Sequence, residues 1–270
     1  MLFEILIVAG VGTLAFALRS FNQPVLFRVG TLGLVVTSFL AGWLIGGSLV
    51  AGILFASTWF LLPWMEILTR VRRMRMPVER NLESRPPPPR SVFPALEELS
   101  SEMESCGFAY VEDIGWTHDD TRHFSRHFLN PDRTTISAVC LIEQGEFAFY
   151  YVFFRSKASD GRLAITWNYP FSYGLHQYPG TFLNRVAGEQ SIEDLSRSHA
   201  RFLPESLGSN PSAVEPDAIQ NELQEDFRGQ LDHNLACGIL RREGSLTIRY
   251  TVRGMFFLWF QFLRDFVRFS

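Results

Sequence analysis

The sequence predicts a cytoplasmic α+β domain carried on an N-terminal anchor of transmembrane helices. Residues 1–76 contain long apolar runs, and their six arginines against two glutamates leave a charge of about +4. Residues 77–270 have 19 basic and 26 acidic side chains, a charge of about −7, and the composition of a soluble domain. In that second part, helical patterns precede and follow about five β-branched and aromatic runs. This order is typical of helices packed on one antiparallel sheet of five to six strands.

The first predicted span covers about residues 2–18, an apolar run with one charged residue, Glu4. A hydrocarbon core about 30 Å thick needs about 20 apolar residues. A cleaved signal peptide is the alternative, because Ala15-Phe16-Ala17 resembles a cleavage site. However, the run starts without Lys or Arg and carries a glutamate, so we interpret it as a retained helix.

Two further spans are predicted from the apolar run between Thr31 and Ile67, whose only charge is Glu66. One helix through this run would be about 55 Å long, too long for a single crossing. Gly46-Gly47 is a plausible tight turn. We therefore predict helices at about 25–45 and 48–67, which complete an anchor over residues 1–76.

The arginines predict how the anchor is oriented. With three spans, the loop that carries Arg19 and Arg28 lies on the same side as the predicted headgroup contacts, Arg70, Arg72, Arg73 and Arg75. The positive-inside rule then predicts a multi-pass protein of a bacterial inner membrane, with its N-terminus outside and its main domain cytoplasmic. The spans carry no ionisable group at mid-depth, which argues against a transporter. The acidic soluble part argues against nucleic-acid binding.

Small residues recur at four-residue spacing in the predicted second and third spans, namely at Gly42, Gly46, Gly47 and Gly52. Such spacing lets helices approach closely. Two uses remain open, packing of this chain's own helical hairpin and contact with a membrane-protein partner or a second copy.

Residues 77–91 read "PVERNLESRPPPPRS", and four consecutive prolines favour an extended, stiff segment. We interpret this segment as a spacer that lifts a domain of residues 92–254 off the bilayer. A ligand for a proline-recognition domain is the alternative.

The domain begins with a helical pattern at 92–108, followed by the five strand-like runs between 108 and 170. Ser191 and Asp194 form a capping box that predicts a second helix, a longer helix follows Pro216, and a last strand follows Gly244. The three cysteines, Cys106, Cys140 and Cys237, are predicted to be free thiols.

The last 16 residues, 255–270, predict an aromatic amphipathic helix at the membrane interface. Gln261, Arg264, Asp265 and Arg268 share one helical face, and almost everything else is apolar. The predicted interface residues are Trp259, Arg264 and Arg268. Packing of this helix against the anchor is the alternative.

Two polar clusters were considered as sites of chemistry. The first resembles a metal site and comprises His118, Asp119, Asp120, His123 and His127. Because Arg122 and Arg126 are interleaved and would repel a cation, we interpret the cluster as a solvated strand and turn, and predict no metal and no cofactor. The second cluster would be the site of a membrane-bound hydrolase or transferase, at Asp160, Asn168 and His199. Nothing in their spacing brings these three residues together, and no common catalytic motif is present.

Three short patterns are similar to a group of bacterial proteins with no assigned activity. They are "L-x-x-E-x-x-x-x-G-F" from Leu99, "F-F-R-S…D-G-R-L-x-I-T-x-N" from Phe153, and "S-I-E-D-L-x-x-x-H" from Ser191. The resemblance covers about residues 92–205 and implies a recurring domain, without site residues.

Together these observations predict a membrane-anchored binding or scaffold protein without catalysis, a subunit of a larger membrane complex. Its expected partners are the lipid bilayer and either a membrane protein, through protein–protein interaction, or a second copy, but not nucleic acid. The hydrolase or transferase is the first alternative. The second is a ligand sensor, which would need a closed apolar cavity inside the sheet.

Overall fold

The computed structural model describes residues 2–21, 23–145, 147–171, 174–186, 190–208 and 211–268. These residues form seven α-helices, a seven-stranded sheet and a three-stranded sheet. The predicted α+β class is confirmed, but the sheet structure is larger than predicted.

The N-terminal part is a bundle of three helices, α1 (Leu2–Arg19), α2 (Pro24–Gly46) and α3 (Leu49–Thr69). The predicted turn between the last two is confirmed, because Gly47 ends α2 in the left-handed conformation at φ +61°. Ser48 then caps α3 by accepting a hydrogen bond from the backbone N–H of Ala51 at 3.2 Å.

Two helical stretches in the described residues are long and apolar enough to cross a membrane, Val25–Gly46 and Leu49–Arg73. Few of their residues are buried inside the protein, as expected for helices that face lipid. The first predicted span does form a helix, α1. Its 18 residues extend about 27 Å, and it is not one of these two stretches.

The predicted helix-packing glycines lie between α2 and α3 of this chain. A Cβ atom added at Gly42 would be 2.6 Å from Cβ of Phe55, and one at Gly46 would overlap Cβ of Ala51. A Cβ atom at Gly52 would be 2.8 Å from the ring of Phe39. Gly47 differs, since it serves the turn. Of the two uses left open by the sequence, these contacts favour packing of the chain's own hairpin.

The seven-stranded sheet has the order β2-β3-β4-β5-β6-β7-β8. The five predicted strands are β3 (Ala109–His118), β4 (Thr121–Leu129), β5 (Ile136–Gln144), β6 (Phe147–Lys157) and β7 (Leu163–Trp167), all antiparallel. Two strands were not predicted, β2 (Glu83–Ser84) at one edge and β8 (Thr181–Arg185) at the other. β8 runs parallel to β7, so the sheet is mixed.

The three-stranded sheet has the order β1-β10-β9, with β1 (Met76–Pro77), β9 (Leu240–Glu243) and β10 (Thr247–Tyr250). The predicted last strand is β10, and it pairs with β9 and β1 instead of joining the main sheet. The segment 77–91, expected to be a spacer, therefore supplies part of one strand to this sheet and all of β2 to the other. It is built into the fold.

Helices cover both faces of the main sheet. On one face, α4 (Leu96–Ser105) and α5 (Ile192–Leu207) enclose the main core, which includes Phe128, Val152 and Phe154. On the other face lies α6 (Ile219–Ala236), preceded by a 3-10 turn at Pro216–Ala218. The predicted capping box at the start of α5 is confirmed, since Ser191 Oγ accepts a hydrogen bond from the N–H of Asp194 at 3.1 Å.

A second core joins the soluble part to the anchor. Ile67 at the end of α3 is fully buried in it, together with residues of α6, the small sheet and α7 (Val252–Arg268). Met76, the last residue of the predicted anchor, and Val78 of the expected spacer pack against the same core. The boundary predicted at residue 76 therefore does not separate two packing units.

Helix α7 packs against α3. The ring of Trp64 contacts Phe256 with a centroid distance of 4.9 Å, and Trp59 stacks on Phe266 at 5.5 Å. The aromatic helix was predicted to lie at the membrane interface, with packing against the anchor as the alternative. The structure shows that it packs against the anchor. On its polar face, Asp265 forms an ion pair with Arg185 of β8 at 2.7 Å.

Candidate functional site

The main sheet and helix α6 enclose a cavity of about 740 Å³. This volume lies in the range of small-molecule sites, about 300–1,000 Å³. Most of its lining is apolar and aromatic. The aromatic side chains come from four strands, the chain just after β7, α6 and segment 174–178: Trp116, Tyr151, Phe153, Trp167, Tyr169, Tyr178, Phe227 and Tyr250.

Strand alternation explains why β6 contributes so much of this wall. Tyr151, Phe153, Arg155 and Lys157 lie at every second position and line the cavity. The residues between them point to the opposite face, where Val152 and Phe154 belong to the main core. From Tyr151 onward, both faces of β6 are therefore covered, whereas Phe147 and Tyr150 near its start are exposed.

Arg80, from the segment expected to be a spacer, brings a cation into this aromatic region. Its guanidinium carbon lies 3.9 Å from the ring centroid of Phe227 and 4.9 Å from that of Trp116. Such stacking is favourable for a planar guanidinium. The aromatic wall thus presents one positively charged group to anything that occupies the cavity.

Burial favours the neutral form of three other groups of this wall. It raises the pKa of Tyr151 well above its usual value and also raises the pKa of Tyr169. Burial, with a contribution from nearby Arg80, lowers the pKa of His123 to about 3. These three rings are therefore uncharged near pH 7, whereas Arg155, Lys157, Glu225 and Asp226 add charged groups elsewhere in the lining.

The far end of β6 carries a buried ionic network. Arg155, only 2% exposed, forms ion pairs with Glu222 at 2.8 Å and with Asp226 at 2.5 Å. Asp226 also pairs with Lys157 at 3.1 Å. These pairs join β6 to α6 across the cavity and close it at this end.

The opposite end of the cavity adjoins the anchor. Val71 and Met74, which directly follow α3, line it, and so does Leu258 of α7. Arg70 lies beside the start of β6, with its guanidinium 5.8 Å from the ring centroid of Phe147. The aromatic end of the cavity is therefore the end next to the candidate membrane spans.

The predicted catalytic candidates do not line this cavity, and the structure does not bring them together. Asp160 is exposed in the turn after β6 and binds Arg162 of the same turn at 2.7 Å. Asn168 accepts a hydrogen bond from the backbone N–H of Val152 at 2.7 Å, which serves the sheet. His199 belongs to α5 and is buried on the side of that helix that faces the sheet, opposite the cavity.

His199 belongs to a buried polar network. Its Nδ1 lies 2.9 Å from Oγ1 of Thr166 and its Nε2 lies 3.1 Å from Oγ of Ser156, which in turn contacts Thr135 at 2.8 Å. Burial lowers the pKa of His199 to about 4. Only 2% of His199 is exposed, so a substrate cannot reach it, and its hydrogen bonds serve the packing of the domain.

The histidine cluster on β3 and β4 is less solvated than expected. His127 is 2% exposed, with Nε2 3.0 Å from Oγ of Ser125, and burial lowers its pKa to about 3. His123 stacks on Trp116 with 5.5 Å between ring centroids. The interpretation as a solvated strand is wrong for these two residues. The sheet face that carries His123 is covered, and the side chain of His127 is buried.

The predicted membrane-interface residues lie around the junction of anchor and domain. Arg72, Arg73 and Arg75 line a groove together with Arg249, and Arg75 pairs with Glu243 at 2.9 Å. Trp259 of α7 contacts α3, and Arg264 lies 3.7 Å from Asp265 of the same helix. The side chain of Arg268 lies outside the described part of the structure.

Sequence reasoning missed the cavity, although one signal was present. The run "FAFYYVFFR" is apolar at both odd and even positions, which predicts a strand covered on both faces. The identity of the covering helix depends on contacts across 71 residues, such as that between Arg155 and Asp226, which local patterns do not reveal.

No protein-family model matches this chain, and neither a curated protein nor a solved structure is significantly similar to it. The cavity is therefore described from its own geometry, as an aromatic candidate site that adjoins the apolar N-terminal helices.

Proposed function

We propose that this protein is a membrane-anchored binding protein that holds a small, mostly apolar molecule in the cavity between its sheet and α6. The supporting observation is the 740 Å³ aromatic cavity with Arg80 in its wall. A ligand that suits it has flat or flexible apolar parts and one anionic or acceptor group near Arg80. Catalysis is not part of this proposal, since Asp160, Asn168 and His199 lie apart from the cavity.

The proposed location is a bacterial inner membrane, with three spans, the N-terminus outside and the main domain cytoplasmic. The packing order supports this orientation, because α1 packs against α2 and α2 packs against α3 through the tight turn at Gly47. The arginine-bearing loop after α1 and the cluster after α3 are thus at the same end of the bundle.

A role in a larger complex is retained only as a secondary part of the proposal. The glycines that suggested a partner are occupied by this chain's own α2–α3 contact. A partner or a second copy would instead contact the outer helix faces, where apolar residues such as Ile45, Val50 and Leu61 are exposed. The bilayer satisfies those faces equally well.

The test is native mass spectrometry of the full-length protein, purified from its own host in a mild detergent. Wild type is expected to carry a non-covalent small molecule. Gly229→Leu fills the cavity and is expected to lose it, because Gly229 lines the cavity and a Cβ atom there meets no atom within 4 Å. The change also favours the helix. Asn221→Leu, an exposed position of α6, is the matched control and should retain the molecule.

Equal occupancy in wild type and Gly229→Leu would contradict the cavity as the binding site. Companion chains in fixed ratio, without any small molecule, would favour the scaffold role over ligand binding.

A further inference from the structure

Three side chains of metal-binding type meet beside the cavity, at one end of α6. His233 and Cys237 lie one turn apart on α6, and His176 comes from segment 174–178. Nδ1 of His176 lies 3.1 Å from Nε2 of His233, and Sγ of Cys237 lies 3.5 Å from the same Nε2. One ligand atom from each residue can be chosen so that all three lie within 4.8 Å of one another.

Two of the three separations are close to those around a tetrahedral zinc ion, and the third, between His176 and Cys237, is within 4.8 Å. Zn–N bonds of about 2.05 Å and Zn–S bonds of about 2.3 Å place two nitrogens about 3.3 Å apart, and nitrogen and sulfur about 3.6 Å apart. The distances of 3.1 Å and 3.5 Å agree with these values within about 0.2 Å.

Hydrogen bonding already links the two histidines. Nδ1 of His176 and Nε2 of His233 lie within hydrogen-bond distance, so one of these two nitrogens carries the proton. Sγ of Cys237 lies 3.5 Å from Nε2 and 3.9 Å from Nδ1 of His233, so it lies beside the ring and not along the in-plane direction of Nε2. Binding of one metal ion by all three side chains would therefore require the His233 ring or the Cys237 side chain to rotate.

The segment that carries His176 is held in place independently of these contacts. The side-chain oxygen of Asn234 accepts from the backbone N–H of His176 at 2.8 Å, and the amide nitrogen of Asn234 donates to the carbonyl of His176 at 2.8 Å. Gln230 also donates to this carbonyl. Asn234 is fully buried, so the backbone of His176 is fixed before a metal binds, as in pre-organised metal sites.

We propose that His176, His233 and Cys237 bind one Zn²⁺ ion. Two imidazole nitrogens and one thiolate sulfur suit this borderline-soft ion, whereas Mg²⁺ and Ca²⁺ prefer oxygen ligands. When the S–Zn bond forms, the thiol proton of Cys237 passes to solvent. Because His176 is exposed, the fourth coordination position is open to water or to an incoming ligand.

The metal would cross-link a wall of the cavity. Leu175 and Tyr178, on either side of His176, line the cavity, and His176 is the residue of this segment that would be bound through the metal to α6. Zn²⁺ would therefore add a further link between segment 174–178 and α6, beside the hydrogen bonds from Asn234 and Gln230. The proposed metal site itself depends only on the three side chains and not on the proposed ligand.

Cobalt substitution tests this site in the full-length protein, produced without a polyhistidine tag and stripped of metal. Titration with Co²⁺ alone is expected to give an absorption band from thiolate-to-cobalt charge transfer that saturates at one ion per chain. Cys237→Ser should abolish this band, and His176→Gln should weaken Co²⁺ binding by at least about tenfold. Cys106→Ser is the matched control, a half-buried free thiol elsewhere in the fold, and should titrate as wild type.

Near-ultraviolet circular dichroism of the metal-free proteins establishes that the variants are folded. Absence of the charge-transfer band in wild type would overturn the proposal. So would a band of full intensity in folded Cys237→Ser, or a band that depends on Cys106.

Discussion

The indole Nε1 of Trp259 donates a hydrogen bond to the backbone carbonyl oxygen of Phe60 at 2.7 Å, and so connects the last helix of the domain to a candidate membrane span. Trp64 adds packing, since its ring stacks on Trp259 at a centroid distance of 6.2 Å. The domain is therefore attached to the anchor at both of its ends, through the chain after α3 and through α7. A cavity placed between these attachments is held at a constant position relative to the candidate membrane spans.

Trp259→Phe retains an aromatic ring and removes the N–H donor. We expect it to lower the free energy of unfolding by about 1 kcal/mol, the usual contribution of such a hydrogen bond. Chemical unfolding in mild detergent measures this. Trp43→Phe, at a half-exposed position of α2, is the control and should change stability by less than about 0.5 kcal/mol. Equal losses in both variants would show that the bond to Phe60 does not contribute.

The ionic network at the closed end of the cavity predicts an order of stabilities. Asp226→Ala leaves the buried guanidinium of Arg155 with Glu222 as its remaining partner in the network, and we expect a loss of about 3 kcal/mol. Arg155→Met removes the buried charge itself, and Asp226 keeps Lys157 at 3.1 Å, so the loss should be smaller. Thermal unfolding of both variants tests the order, and the reverse order would show that the pair is not effectively buried.

His199 predicts a loss of stability in acid. Burial lowers its pKa in the folded protein to about 4, from about 6.5 when unfolded, so the unfolded state binds more protons between these values. Its contribution is therefore complete above about pH 6.5 and falls as the pH drops towards 4, by on the order of 3 kcal/mol.

We expect His199→Asn to reduce the slope of the unfolding free energy against pH between about pH 4 and 6.5, because about one proton fewer is taken up on unfolding. This expectation holds whatever the stability of the variant at pH 8. Denaturant unfolding at several pH values is the measurement. An unchanged slope would mean that water reaches this histidine in the folded protein.

The glycines between α2 and α3 predict a contrast between two alanine variants. Gly42→Ala would place its methyl group 2.6 Å from Cβ of Phe55, and we expect the helices to separate slightly, with a loss of about 1–3 kcal/mol. Gly10→Ala on α1 has open space around its methyl group and should not destabilise the protein. Unfolding and size measurements in detergent distinguish the alternatives. A smaller oligomer with unchanged monomer stability would indicate that Gly42 contacts another chain.

Several local features could be predicted because each depends on neighbouring residues. The turn at Gly47 follows from two small, flexible residues inside an otherwise over-long apolar run. The start of α5 at Ser191 follows from a capping box, whose hydrogen bond joins residues three positions apart. The strands β3 to β7 follow from alternation and turn residues, and their antiparallel order follows from short connections.

The main errors concern contacts between distant parts of the chain. β2 has two residues and β8 has five, and both are strands only because a neighbouring strand supplies their hydrogen bonds. The expected spacer enters both sheets for the same reason. The alternative of a hydrolase or transferase at Asp160, Asn168 and His199 stays a prediction that also depends on distant contacts, and the structure places Asp160 in an exposed turn and His199 on the buried side of α5.

The amino-acid sequence alone thus establishes an apolar helical anchor with an arginine-rich end, an α+β domain, and the periodicity of most of its elements. These properties depend on hydrophobicity, turn chemistry and caps, which act over a few residues. Folding in three dimensions creates the cavity around Arg80, the ion pair of Arg155 with Asp226, and the meeting of His176 with Cys237. Each of these joins segments that are far apart in the chain, so it exists only when the sheet, α6 and the anchor pack together.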